Sequence, residues 1–133
     1  MMRSGLSTPD GKPTGATYGF TMTLRRILEQ EQPDLIAVCF DPKGPTFRHK
    51  MYAEYKATRD RMPEDLSTAL PYVFSLLEAF RIPVLRVEGW EADDVMAATA
   101  AAAAGAAGGG VLTAVASGDR DMQQLLRPEV RWL

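Results

Sequence analysis

Cysteine and histidine are almost absent from this chain. Cys39 is the only cysteine among 133 residues, and His49 is the only histidine. A single cysteine excludes an internal disulfide, and its apolar surroundings predict a small core residue. Zinc sites and Ser-His-Asp triads depend on these two residue types, and neither kind of site is indicated. His49 stands among basic residues, so we expect a surface side chain first and a phosphate contact second.

Long apolar runs and glycine-rich phosphate loops are also missing. No apolar stretch has the length that crosses a bilayer. The first five residues precede no apolar segment, so we expect no signal peptide and a cytoplasmic location. With 46% hydrophobic residues, 24% charged residues and a net charge of -2, the composition is that of an ordinary globular domain. The length is sufficient for one domain with a real core.

Short apolar runs and helical patterns alternate along the chain. The apolar runs predict strands at residues 35–40, 82–87 and 111–116, and the start of a fourth at 130–133. Helical spacing predicts helices at residues 16–30, 63–80, 92–104 and 122–126. Pro71 should bend the second helix or mark its true beginning. The alternation predicts an α/β fold, with a parallel sheet and helical crossovers.

Acidic residues follow each of the first three predicted strands. The carboxyl ends of parallel strands meet at one edge of a sheet, where functional sites form. We therefore expect six carboxylates near one another, and all-oxygen donor sets favour Mg²⁺ or Mn²⁺ over zinc. These six are Asp41, Glu91, Asp93, Asp94, Asp119 and Asp121.

The densest acidic motif is Gly89-Trp90-Glu91-Ala92-Asp93-Asp94. If a helix begins near Ala92, Glu91 and Asp94 point roughly the same way, and three adjacent like charges raise one another's pKa. A bound cation would remove that cost. Alternatively, the acids only cap the helix or interact favourably with its dipole. The motif alone leaves both interpretations open.

A basic segment lies between the first strand and the second long helix. Aromatic side chains are interleaved with its charges, and no apolar face is evident, so we expect it to be exposed or mobile. It is either a phosphate-binding surface with aromatic platforms for bases or a solvated loop. Carboxylate-held magnesium beside such a segment indicates phosphodiester hydrolysis, in which two metals about 4 Å apart activate water and stabilise the leaving oxygen.

Three motifs of this chain are specific: Tyr55-Lys56-Ala57-Thr58-Arg59, Glu91-Ala92-Asp93-Asp94 and Gly118-Asp119-Arg120-Asp121. Four more accompany them: Tyr18-Gly19-Phe20, Phe40-Asp41, Thr46-Phe47-Arg48-His49 and Met62-Pro63-Glu64-Asp65-Leu66. Together, and in their order along the chain, these motifs resemble the 5′-3′ exonuclease (flap endonuclease) family found in the N-terminal domain of bacterial DNA polymerase I. The similarity covers nearly the whole chain.

The resemblance implies an enzyme with a PIN-like, resolvase-like parallel sheet flanked by helices. It implies a 5′-3′ exodeoxyribonuclease and 5′-flap endonuclease that hydrolyses DNA in replication and repair, with two Mg²⁺ or Mn²⁺ ions. The six carboxylates are implied metal ligands, and Lys56, Arg48 and Asp94 are implied catalytic residues. Residues 43–62 match the basic arch through which a 5′ end passes. The implied DNA-binding residues are Arg48, Tyr55, Lys56 and Arg59.

Some family features have no counterpart here. The family normally begins with a strand that ends in Asp-Gly, and it carries later Gly-Asp-x-x-Asp-Asn acids and a helix-hairpin-helix part. We therefore expect residues 1–133 to be a partial domain without the family's first strand, weak or inactive alone. In a longer protein, a polymerase domain could follow it. Two alternatives stay open: a PIN-type ribonuclease and an inactive DNA-binding fragment.

Overall fold

The computed structural model of this chain describes residues 6–52, 54–56, 62–106 and 111–133. These residues divide into two compact units. One unit contains the described residues up to Val38 together with those from Met62 to Val84. The other contains those from Cys39 to Lys56 and from Leu85 to Leu133. The predicted site residues lie in the second unit, except Arg59, which is outside the described residues.

Helices and strands alternate along the described chain, as the sequence predicts. In order they are α1 (Gly15–Glu31), β1 (Val38–Cys39), α2 (Phe47–Met51), α3 (Glu64–Ala79), β2 (Val84–Leu85), α4 (Ala92–Ala104), β3 (Thr113–Val115), a 3-10 helix (Arg120–Leu125) and β4 (Val130–Trp132). This order confirms the predicted α/β class. No helix among the described residues is long and apolar enough to span a membrane.

The first unit is built on α1 and α3, which pack against each other. Leu24 of α1 and both Val73 and Leu77 of α3 are buried, as their helical spacing predicts. α3 starts directly after Pro63 and continues through Pro71. The interpretation that Pro71 marks the beginning of the helix is therefore wrong. Proline costs the helix one backbone hydrogen bond, and we attribute its tolerance here to burial of apolar side chains on both sides of it.

The strands are shorter than predicted and form two separate pairs in the described residues. In the first pair, Val38 N–H donates to Pro83 O and Phe40 N–H donates to Leu85 O, both at 3.0 Å. Equal steps in the same direction indicate that β1 and β2 are parallel. The expectation that the first strand is covered on both sides is wrong for the described residues, since β1 is half-buried and Leu35 is 84% exposed.

The second pair of strands positions the acidic turn after β3. β3 and β4 are parallel, with Val115 opposite Trp132. A buried apolar cluster joins them to α4 and the 3-10 helix through Ala100, Val115, Met122 and Val130. The indole N–H of Trp132 donates to the Ser117 carbonyl at 2.9 Å. The segment that leads to Asp119 is thus attached to the core of this unit.

Candidate metal and nucleic-acid site

The acidic motif forms the beginning of α4, as the helical interpretation requires. Glu91 is the N-cap and forms a capping box with Asp94. The Asp94 carboxylate accepts a hydrogen bond from Glu91 N–H at 3.1 Å. Ala92 N–H donates to Asp41 Oδ1 at 2.8 Å. Asp94 and Asp41 therefore accept hydrogen bonds from backbone N–H groups at the beginning of α4.

Two basic side chains bind Glu91 and Asp94. The Arg48 guanidinium is bidentate on Asp94: Nη2 donates to Oδ1 at 2.7 Å, and Nη1 donates to Oδ2. Nη1 also lies 3.5 Å from Glu91 Oε2. Lys56 Nζ donates to Glu91 Oε1 at 2.8 Å, and the Tyr55 hydroxyl donates to Oε2 at 3.2 Å. We call Arg48, Lys56, Glu91 and Asp94 the ion-paired cluster.

The charges of the ion-paired cluster stabilise one another. The hydrogen bond from Arg48 holds the pKa of Asp94 below its ordinary value, and the same bond raises the pKa of Arg48. Burial alone would lower the pKa of Lys56, but the hydrogen bond and charge of Glu91 outweigh burial and raise it. Glu91 is only 8% exposed, and its ion pairs with Lys56 and Arg48 compensate a buried charge.

Asp93 has a different environment, although it is adjacent to Asp94. Burial raises the pKa of Asp93, and the negative charges of Asp119, Asp41 and Glu91 raise it further. Among the residues that the structure describes, no cation forms an ion pair with Asp93. We call Asp41, Asp93 and Asp119 the acidic cluster. The structure thus brings acids that follow two other strands within electrostatic reach of Asp93.

The acidic cluster offers only oxygen donors, which suits a hard divalent cation, and a cation would relieve its repulsion. However, no group of three or more His, Cys, Asp or Glu side chains in the described ranges is arranged to hold a metal ion. Two of the six expected carboxylates, Glu91 and Asp94, are bound to Lys56 and Arg48. Asp121 is exposed, and its N–H donates to Asp119 Oδ1 at 2.9 Å. The ligand assignment stays a prediction.

The basic segment contains a short helix, α2, that the sequence analysis did not predict. The buried Thr46 caps it, and His49 Nδ1 accepts from Thr46 N–H at 3.2 Å and lies 2.9 Å from Thr46 Oγ1. The edge of the His49 ring also contacts Tyr55, with ring centroids 5.3 Å apart. The interpretation of His49 as a surface side chain is therefore wrong, because its ring caps α2 and is half-buried.

Trp90 is a residue of this region to which the sequence analysis gave no role. Its ring lies 4.9 Å from that of Phe47, between centroids. Phe47 N–H donates to the Gly89 carbonyl at 2.8 Å, and the Arg48 guanidinium lies 4.5 Å above the Phe47 ring. Gly89 has a φ of 82°, which glycine adopts without a steric cost. The Gly-Trp pair before the acids was the available signal, since it connects α2 to the beginning of α4.

A comparison with protein-family models covers the whole chain. A model of the family described as "5'-3' exonuclease, N-terminal resolvase-like domain" matches residues 1–133. The chain belongs to this family. The resemblance inferred from the motifs is therefore confirmed, and the α/β class agrees with it.

Curated relatives and a solved structure agree with this membership. DNA polymerase I of Caldicellulosiruptor bescii is 42% identical over 94% of this chain, and that of Geobacillus stearothermophilus is 43% identical over 94%. This chain spans about 14% of the length of each. The structure of T5 5′-exonuclease with bound divalent metal ions (zinc) has a TM-score of 0.66 at 24% identity, covering 93% of this chain and 48% of that one. This likeness supports the fold.

Proposed function

We propose that this chain is part of a metal-dependent 5′-3′ exonuclease that also cleaves 5′-flap DNA during replication and repair. One observation carries the proposal: carboxylates that repel one another around Asp93 are adjacent to a cluster that holds Arg48 and Lys56. Phosphodiester hydrolysis needs both kinds of group, since a cation activates the attacking water and positive charge stabilises the phosphate. Because the relatives are DNA polymerase I, the proposal includes a polymerase domain in the same protein.

The acidic cluster is the proposed metal site. Asp41, Asp93 and Asp119 are the first candidate ligands for Mg²⁺ or Mn²⁺, and Glu91, Asp94 and Asp121 are the second. The absence of an ion pair on Asp93 in the described residues supports this order, and burial together with the charges of Asp119, Asp41 and Glu91 raises the pKa of Asp93. Bound divalent cations, two in number in this proposal, would supply the Lewis acidity that activates water and stabilises the leaving oxygen.

The basic segment is the proposed DNA-binding part. Arg48 and Lys56 carry the charges that would contact the scissile phosphate, and Tyr55 lies beside them with its hydroxyl on Glu91. Arg59 belongs to the same proposal from its motif alone. An arch over residues 43–62 would let a free 5′ end reach the carboxylates. The nearby carboxylates weaken the attraction of Arg48 and Lys56 for DNA, and a bound metal ion would offset that negative charge. Metal binding and DNA binding should therefore cooperate.

Cleavage assays on the full-length protein that carries this chain test the proposal. We expect Mg²⁺-dependent cleavage of a 5′-flap DNA, no cleavage with EDTA, and little cleavage of single-stranded RNA of equal length. A preference for RNA would support a PIN-type ribonuclease instead. DNA binding without metal-dependent cleavage would support an inactive DNA-binding fragment. Cleavage that persists with EDTA would reject the metal site.

A further inference from the structure

Asp93 and Asp94 are neighbours in the sequence with different sets of partners. Both oxygens of Asp94 accept hydrogen bonds from Arg48, and Oδ2 also accepts one from Glu91 N–H at 3.1 Å. Its side chain is 19% exposed. Three of the roughly four lone-pair positions of this carboxylate are therefore occupied, and Arg48 already compensates its charge. Asp93 forms no ion pair among the described residues, and three acids act on it electrostatically against one cation, Lys56.

Arg48 is held from two directions. Asp94 fixes the edge of its guanidinium with two hydrogen bonds, and the Phe47 ring lies 4.5 Å below its charged carbon. Phe47 is itself fixed by its N–H bond to the Gly89 carbonyl. The Arg48 side chain nevertheless remains 33% exposed. A guanidinium has five N–H donors, so donors beyond those on Asp94 are available for a phosphate oxygen.

We propose that Asp94 is a positioning residue, which holds the Arg48 guanidinium in place for the substrate phosphate and does not bind metal. This inference rests on the proposed nuclease function. It changes the expected ligand set, because Asp94 leaves the metal site and becomes part of the phosphate-binding side. Arginine suits this arrangement better than lysine, because its planar fork binds a carboxylate through two parallel bonds and keeps further donors free.

Metal affinity separates a ligand from a positioning residue. In the full-length protein, calorimetric titration with Mn²⁺ should show a smaller loss of affinity in Asp94→Asn than in Asp93→Asn, which removes a ligand charge and should lose about 10-fold or more. Asparagine can still accept the Glu91 N–H bond, so the beginning of α4 is preserved. Equal losses in Asp93→Asn and Asp94→Asn would overturn the inference.

Coupling between the two side chains tests the positioning role. Flap cleavage should fall on the order of 100-fold in Asp94→Asn and in Arg48→Gln. The double variant should lose no more than either single variant, because both changes remove the same contact. Arg48→Lys should retain part of the rate. Losses that multiply in the double variant would overturn the inference. So would a lower melting temperature in Asp94→Asn together with an unchanged cleavage rate at assay temperatures well below that melting temperature.

A matched control changes an ion pair far from the carboxylates. Glu29→Gln breaks the exposed pair with Arg25, which has an Nη2–Oε1 distance of 2.9 Å, and should leave metal affinity and cleavage unchanged. If the unchanged protein cleaves no flap DNA, the proposed function fails. The role of Asp94 would still be decided by the Mn²⁺ titration and by the affinity for flap DNA measured in Ca²⁺. Only if Asp94 positions Arg48 should Asp94→Asn and Arg48→Gln lose the same amount of DNA affinity.

Discussion

The acidic cluster and the ion-paired cluster meet at the beginning of α4, and their carboxylates behave in opposite ways. Burial and like charges raise the pKa of Asp93, whereas the bond from Arg48 lowers the pKa of Asp94. The two residues are adjacent, of the same type, and both in the first turn of one helix. Their partners make the difference. Adjacent acids in one motif can therefore hold different roles, one that favours a cation and one already neutralised by the protein.

The comparison suggests how charge is balanced before metal binds. Arg48 and Lys56 form ion pairs with Asp94 and Glu91, whereas Asp41, Asp93 and Asp119 form none in the described residues, and the charge of Lys56 only partly offsets the acids around Asp93. Binding of a divalent cation at the acidic cluster should therefore be favourable. At the ion-paired cluster a cation would compete with Arg48 or Lys56 for the carboxylates.

The largest expected effect comes from the centre of the acidic cluster. Asp93→Asn should reduce Mg²⁺-dependent flap cleavage by about 1,000-fold, because a neutral amide is a poorer ligand and removes the charge that favours the cation. Single-turnover assays measure the loss. Asp65→Asn, at an exposed acid in the first turn of α3, is the matched control and should cleave normally. Equal rates for Asp93→Asn and the unchanged protein would remove Asp93 from the site.

A smaller loss is expected on the basic side. Lys56→Ala should slow flap cleavage by more than about 10-fold, because one phosphate-binding charge is lost. The matched control is Lys12→Ala, which breaks an exposed ion pair with Asp10 (Nζ–Oδ2 3.5 Å) and should leave the cleavage rate unchanged. Rates measured at saturating DNA distinguish catalysis from binding. An unaltered rate for Lys56→Ala would exclude this side chain from phosphate contact.

The smallest effects are on stability, and they should have opposite signs. In EDTA at neutral pH, Asp94→Asn should lower the free energy of unfolding by about 1–2 kcal/mol, because Arg48 loses a charged partner. Asp93→Asn should raise it slightly, because repulsion with Asp41 and Asp119 is removed. Urea denaturation of the metal-free protein measures both changes. Changes of the same sign would contradict the difference between the two clusters.

The pH dependence of these two changes follows from the directions of the pKa shifts. The pKa of Asp93 is raised above its ordinary 3.8, so protonation of Asp93 favours the folded state, and this contribution is lost as pH rises through the raised value. The gain from Asp93→Asn should therefore be present at neutral pH and vanish below the ordinary value. The pKa of Asp94 is lowered, so its contribution is present above 3.8 and is lost as pH falls through the lower folded value. Urea titrations at several pH values measure both.

Helices were predicted more accurately than strands, for a physical reason. The periodic burial of Leu24, Val73 and Leu77 is visible in the sequence, because a helix satisfies its own backbone and needs only one apolar face. Residues 35–40 and 82–87 are apolar enough for longer strands, but only Val38–Cys39 and Val84–Leu85 are strands in the structure. A strand forms where a partner provides hydrogen bonds, and the sequence of one segment does not identify its partner. The capping of α2 by Thr46 and His49 was missed because it depends on a local turn between charged residues.

The sequence by itself determined the α/β class, the family, the beginning of α4 and the identity of the acids that follow each strand, because these depend on local patterns and motifs. Only the tertiary structure decided which acids are neutralised. Arg48 and Asp94 are 46 positions apart, and Lys56 and Glu91 are 35 apart. Coulomb energy depends on distance in space and on burial, not on separation along the chain. The contrast between Asp93 and Asp94 therefore arises only when α2 and the start of α4 come together.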